Sequence, residues 1–281
     1  MPAFPTSGPA ALQVKFPAGV LDITATPRED VVVEVRPADP SRPSDVQCAE
    51  QTSVEYIDGT VFVKTPERLP APGRTPALEI VVGLPEGSRI DITTAAADTR
   101  ATGQLGEVSA RTASGAVRVD RCTRLDAKTA SGDVTCDVTE GGVHVKTASG
   151  DTSLREVYGE ATVVTASGKV DLGATGGATT VKSASGNVRI RAAGESVRVK
   201  GASATVTIES VVRGGVSVNT ASGDIQIGVA TGTSAWLDVS SLSGRVDSSL
   251  DRAELPADGD EKVEIHVQTL SGDVSILRAH A

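Results

Sequence analysis

The sequence predicts an all-β chain, a parallel β-solenoid of about 18 residues per coil with an antiparallel β N-terminal cap. The first observation is a repeat. Thr-Ala-Ser-Gly or a near relative places Ser at 114, 131, 149, 167, 185, 222, 243 and 271, with Ser203 followed by Ala204 in the remaining slot. The steps between them are 17, 18, 18, 18, 18, 19, 21 and 28 residues, and a fixed period of this kind marks a stacked architecture. The second observation is the alternation on either side of that corner. Three and five residues after Ser lie Val134 and Cys136, Val170 and Leu172, Val188 and Ile190, Val206 and Ile208. Six and four before it lie Val143 and Val145, Ala161 and Val163, Val197 and Val199. Period-2 patterning with β-branched residues reads as half-buried strands. The third is that equivalent positions carry the same residue type, as expected when each coil lies in register on the last.

The corner residues have separate expected roles. Gly supplies unusual backbone angles, small Ala permits close stacking, and the Thr and Ser hydroxyls can satisfy corner carbonyls. Residues 1–94 lack the repeat and read as seven strands: Leu12–Phe16, Val20–Ala25, Val31–Arg36, Val54–Ile57, Val61–Thr65, Ala77–Leu84 and Arg89–Thr94. Asp58-Gly59 marks a hairpin, and the Pro-rich segments 37–43 and 66–76 read as loops. This region is expected to be antiparallel and to cover the first coil, because an open end is an exposed sheet edge. Solenoid repeats occupy 95–281, regular to about 230, with irregular last coils and an acidic loop at 251–262. Trp236, the only Trp, is expected to pack at the C-terminal end.

Composition narrows the function. Aromatics are 2% of 281 residues, which suits a narrow aliphatic stack better than a conventional core. A net charge of −9 argues against a nucleic-acid binder relying on overall charge. The N-terminus has no basic start followed by an apolar run, and no stretch reaches transmembrane length, so the expected location is cytoplasmic with no membrane partner. Cys48, Cys122 and Cys136 lack metal spacing, and Cys136 sits at an inward position. No cofactor is expected.

Chemistry is hard to place on this pattern. Asp follows the corner Gly at 133, 151, 224 and 273, but Lys169 and Arg245 occupy the same slot and break any calcium ladder. His144, His266 and His280 match no zinc motif. A Ser that recurs at every corner is structural, since one nucleophile would suffice. No aromatic column marks a sugar platform, and the repeating Thr has inward parity, unlike an ice-binding face. No catalytic, cofactor-binding or metal residue is therefore assigned. One outward column stands out. Three residues before the corner Ser lie Arg111, Lys128, Lys146, Val164, Lys182 and Lys200, then Asn219. Stacked coils would set these ~4.8 Å apart. Either Asp133, Asp151 and Asp171 compensate them, or the stripe meets an acidic protein or polyanion.

The Thr-Ala-Ser-Gly-Asp-Val-x-Val periods, with the opening LQVKFPAGVLDITATPREDVVVEVRP, resemble the bacterial β-strand-repeat family known as "putative adhesin", a domain of unknown function, in its signal-less actinobacterial type. The resemblance implies a parallel β-solenoid, often joined to a membrane anchor, and supplies no catalytic residue. The expected function is a non-enzymatic structural or interaction protein, monomeric or a small oligomer. The alternatives are a carbohydrate-active β-helix enzyme, which would need converging carboxylates in a groove, and a self-assembling cytoskeletal-type solenoid.

Overall fold

Short runs of alternating Val and Ile bounded by Gly corners leave this chain little choice but strands. A computed structural model describes residues 2–66, 75–250 and 261–279. The chain divides into two compact units, residues 1–138 and 139–281. The first contains β1 (Ala3–Pro5), β2 (Ala11–Thr26), β3 (Asp30–Pro37), α1 (Pro43–Gln51), β4 (Ser53–Ile57), β5 (Thr60–Lys64), β6 (Leu78–Pro85), β7 (Arg89–Thr112) and β8 (Val117–Thr129). β9 (Val134–Thr139) ends where the division falls.

All seven strands expected before residue 95 are present, but β2 joins the first two of them and β7 runs unbroken across residue 95. β2 is itself a coil. It pairs in parallel with β7 from Ala11↔Arg89 to Phe16↔Thr94, bends at Pro17, and resumes from Ala18↔Ala96 to Thr24↔Thr102. β5 and β6 lie parallel along its other edge. The cap is therefore mixed: only β1 on β3, β3 on β6 and β4 on β5 are antiparallel. The Asp58-Gly59 turn joins β4 to β5 as expected, with Asp58 and Gly59 both at positive φ.

The helix α1 was not expected. Pro43 opens it, at a position where a missing N–H costs nothing. Asp45, fully buried, takes an ion pair from Arg42 at 3.2 Å and a hydrogen bond from the Ala77 amide at 3.3 Å. Burial, with Asp45 beside it, pushes the Cys48 thiol above its usual pKa. Cys122 and Cys136 are also buried, so all three thiols lie within the first unit.

The second unit contains β10 (Val143–Lys146), β11 (Thr152–Val157), β12 (Ala161–Thr165), β13 (Val170–Thr175), β14 (Thr179–Ser183), β15 (Val188–Ala193), β16 (Val197–Gly201), β17 (Val206–Val211), β18 (Gly214–Ser222), β19 (Ile225–Val229), β20 (Thr233–Ser243), β21 (Val246–Ser248), β22 (Glu261–Ser271) and β23 (Val274–Arg278). They form two parallel faces. One runs β10-β12-β14-β16-β18 and the other β11-β13-β15-β17-β19, each coil in register with the next apart from a shift between Ile208 and Val211 where β17 meets β19. Val134, Val145, Val170, Val188 and Ile208 are all at most 1% exposed. Each such side chain contributes about 1.5–3 kcal/mol by leaving water.

The last coils are stacked out of chain order. β22 pairs with β18 and β20 pairs with β22; likewise β23 pairs with β19 and β21 with β23. The coil at 261–278 thus lies between its two predecessors. Trp236, on β20, is 62% exposed and is not packed at the C-terminal end, where it was expected to be. Most of the acidic loop, residues 251–260, lies outside the described residues, as does His280.

Candidate functional site: the basic row

The repeat residues hold the corners together. The Thr hydroxyl accepts a hydrogen bond from the Gly amide three residues on: Thr129 from Gly132 at 2.7 Å, Thr147 from Gly150 at 2.9 Å, Thr165 from Gly168 at 2.9 Å. The Ser amide donates to an Ala carbonyl one coil away, as Ser131 does to Ala113 at 2.9 Å. The recurrent Asp reaches across coils. Asp98 accepts from the Ala116 amide at 2.9 Å and Asp151 from the Lys169 amide at 2.8 Å. Asp224 and Asp273 do the same for the amides of Asp273 and Arg245. A carboxylate bound to an amide in this way favours the turn and leaves no ion ladder. Among the described residues no group of three or more His, Cys, Asp or Glu could hold a metal.

Glycine is needed at these corners for space rather than for backbone angle. A Cβ on Gly168 would lie 2.0 Å from the Gly150 carbonyl oxygen, and one on Gly132 2.0 Å from that of Gly115. Of the Ser-Gly corners, only those at Gly223 and Gly272 have positive φ. The exception at Ser203-Ala204 explains itself. The Thr slot there holds Gly201, where a Cβ would stand 2.9 Å from the Ala204 methyl. Methyl and missing side chain have traded places.

The same corners fix the outward column. Arg111 and Lys128 belong to the first unit, where they are direct register partners. The row continues there through residues that carry no repeat signal: Lys64 pairs with Lys15, and Lys15 with Thr93. These cations are interleaved with acid. Arg111 meets Asp91 at 3.5 Å, and Lys128 lies 3.3 Å from Asp126, an ion-pair distance without hydrogen-bond alignment. Lys64 sits 4.6 Å above the Phe62 ring. Gln13, Phe62, Asp91, Ser109, Arg111 and Asp126 line an open depression of about 530 Å³ in which the two signs alternate.

Lys146, Lys182 and Lys200 belong to the second unit. Registration gives Lys146↔Val164, Val164↔Lys182, Lys182↔Lys200 and Lys200↔Asn219. Arg198 stands two residues before Lys200 on the same face, beside Thr180 and Ser217. The face formed by β10, β12, β14, β16 and β18 contains no Asp or Glu at all. Lys146, Lys182, Arg198 and Lys200 are exposed and make no ion pair among the described residues. The opposite face neutralises its cations: Arg191 pairs with Asp171 at 3.2 Å, and Arg189 pairs with Glu209. Asp171 is thus committed to Arg191, and Asp151 to a backbone amide. Two unit charges ~5 Å apart repel by about 0.8 kcal/mol even in bulk water, so Lys182 and Lys200 raise each other's energy with no carboxylate on their face to offset it.

Sequence reasoning found the five-residue column and missed Lys15, Lys64 and Arg198. Arg198 was legible, because it has outward parity on the same strand as Lys200. Lys15 and Lys64 were not, because the coils that carry them lack the Ser-Gly corner.

The family described as Toastrack DUF4097 matches residues 23–277. Similar solved structures include a putative adhesin from Bacteroides fragilis, 10% identical over 98% of this chain and 95% of its own, with a TM-score of 0.37. A putative lipid binding protein from Parabacteroides distasonis is 8% identical over 99% and 96%, with a TM-score of 0.41. A putative cell adhesion protein from Clostridium sporogenes is 10% identical over 99% and 98%, with a TM-score of 0.24. No functionally curated protein matches the sequence.

Proposed function

We propose that this chain, which belongs to the Toastrack DUF4097 family, is a non-enzymatic interaction module that captures an acidic protein or polyanion on the carboxylate-free strands β10, β12, β14, β16 and β18 of its second unit. The observation that carries this reading is the segregation of charge. A chain of net charge −9 keeps four cations on these five adjacent strands without a single acid, and pairs Arg189 and Arg191 of the opposite face. Flexible ammonium groups on a rigid parallel sheet give an acidic partner several weak contacts at once. Thr162, Thr180 and Ser217 between them add hydroxyl donors. The absence of Phe, Tyr and Trp from these five strands favours charge over base stacking. A catalytic reading lacks support, because the repeated hydroxyls and carboxylates are engaged at corners and His144 and His266 stand on different coils.

The test is capture from the source cell at low salt by wild type and by the Lys146→Gln, Lys182→Gln, Lys200→Gln variant. The expected result is a partner recovered by wild type, lost by the folded variant, and weakened by added salt as exposed charges are screened. Identical capture by both proteins overturns the proposal.

A further inference from the structure

The final coil of the second unit stands apart from the rest. Among the described residues, β20 has one neighbour, β22, and β21 has one, β23. From Ala235 to Leu242 the outer edge of β20 therefore has no strand beside it among the described residues. The inward row of this coil is less buried than that of its neighbour. Val246 is 47% exposed, whereas its register partner Val274 is fully buried. Leu237 and Val239 are half-buried, whereas their partners Ile265 and Val267 are fully buried.

Outward positions also change character here. The corner Ala at 113, 130, 148, 166, 184, 202 and 221 becomes Leu at 242 and 270, and these leucines are 81% and 60% exposed. Trp236 adds a third large apolar group. Terminal repeats need a polar outer face to stay soluble, and edge strands are ordinarily blunted by Lys, Pro or a bulge. β20, TSAWLDVSSLS, has no Lys and no Pro, and its register with β22 runs without a slip.

We propose that a second copy of this chain completes this coil, with β20 pairing antiparallel to β20 of the partner subunit about a two-fold axis. The strand is complementary to itself. Centred on Val239, the pairing sets Trp236 opposite Leu242 of the partner subunit and Asp238 opposite Ser240 of the partner subunit, each twice. Leu237, Val239 and Ser241 remain on the core side, so the two inward rows become continuous. Centring one residue earlier would oppose two Asp238 carboxylates, which is unfavourable.

Charge permits the approach at this place. Residues 233–248 carry only Asp238, Arg245 and Asp247, a formal −1 on a chain of −9. Asp238 is already held by His266 Nδ1 at 2.7 Å. The competing occupant is the chain's own 251–260, DRAELPADGD. That sequence has a formal charge of −3, and Pro256 lacks an amide hydrogen, so it suits an apolar edge poorly. An isologous contact consumes the same surface on both copies and closes at two, rather than growing into a filament.

The test is the mass of the full chain in solution across a concentration series, with Trp236 emission followed in parallel. Wild type is expected to be a dimer whose single-Trp emission shifts red on dilution as the indole returns to water. Trp236→Lys with Leu242→Lys should remain folded by circular dichroism and weaken the dimer at least 100-fold. A wild type that is monomeric up to high micromolar concentration overturns the proposal, as does a dimer equally stable in the variant. Replacing 251–260 by a Gly/Ser linker separates the rival. A dimer that appears only after that replacement would show that the segment covers the edge and would also overturn the proposal. Capture of an acidic partner is a separate readout, so either reading can fail alone.

Discussion

Arg111 and Lys128 in the first unit, and Lys182 and Lys200 in the second, occupy the same slot of the repeat and sit in different fields. The difference lies two residues upstream on the same strand face. That slot holds Asp126 before Lys128 and, one coil from Arg111, Asp91 before Thr93, but Thr180 before Lys182 and Arg198 before Lys200. Arg111 and Lys128 each have a carboxylate within 3.5 Å, whereas Lys182 and Lys200 make no ion pair among the described residues. The repeat motif itself is alike in both regions, because it is consumed in building corners. Binding specificity on such a scaffold is therefore carried by outward slots that the fold leaves unconstrained, and a change there costs the stack little.

The comparison can be broken most severely from inside. Val188 is 1% exposed and lies in register between Val170 and Val206. Val188→Asp buries an unpaired carboxylate and should cost at least about 4 kcal/mol, unfolding neighbouring coils of the second unit. The loss is read as strand signal in circular dichroism together with loss of polyanion capture. The three thiols all lie in the first unit and should stay protected from a thiol reagent, which separates damage to one unit from global unfolding.

A smaller effect is expected at the corner that positions Lys200. Gly201→Thr alone restores the usual hydroxyl but drives its Cβ against the Ala204 methyl, and should cost about 1–3 kcal/mol as overpacking does. Ala204→Gly alone should cost less. The double variant recreates the Thr-Ala-Ser-Gly corner and should recover most of the loss, a coupling of about 1–3 kcal/mol in thermal or denaturant melts. Additive losses would show that the exchange of methyl and missing side chain is not compensatory.

Smaller still in stability is the conversion of the first unit to the state of the second. Asp91→Asn with Asp126→Asn removes the acids beside Arg111 and Lys128. Exposed pairs are worth about 0–1 kcal/mol, so melting should hardly move, while binding of poly-glutamate at low salt should strengthen. Unchanged binding would mean that local compensation is not what silences the first unit's row.

Much of this arrangement was legible in the sequence. The coil period, the inward Val and Ile, and the outward lysines follow from parity alone, since a side chain's face on a strand is set by its count from the corner. Other features were not. α1 buries only Asp45 and Cys48 over nine residues, too short and too polar for helical periodicity to show. The coil at β2 turns at Pro17-Ala18-Gly19, so no Ser-Gly corner announced it. The inverted order of the last two coils leaves the strand pattern untouched, because 233–248 and 261–278 fit the stack equally well by parity. A subtler sign was available: the inward row reads Ala235, Leu237, Val239, Ser241, Val246, Ser248 in one coil and Val263, Ile265, Val267, Thr269, Val274, Ile276 in the other. The smaller and more polar row belongs at the end of the stack, where it is less buried. Trp236 was misplaced although its parity, opposite to that of Leu237 and Val239, already put it on the outward side.

The most direct measurement is the affinity for poly-glutamate at low salt of wild type and of two charge-removing variants. The first is Lys182→Gln, Arg198→Gln, Lys200→Gln in the second unit, and the second is Arg111→Gln, Lys128→Gln in the first. Each lost contact is weak alone, but the three act on one face and are screened together. A loss of at least tenfold for the first variant, with less than twofold for the second, is the result expected if the uncompensated face is the site. Equal losses in both, or none in the first, would contradict it.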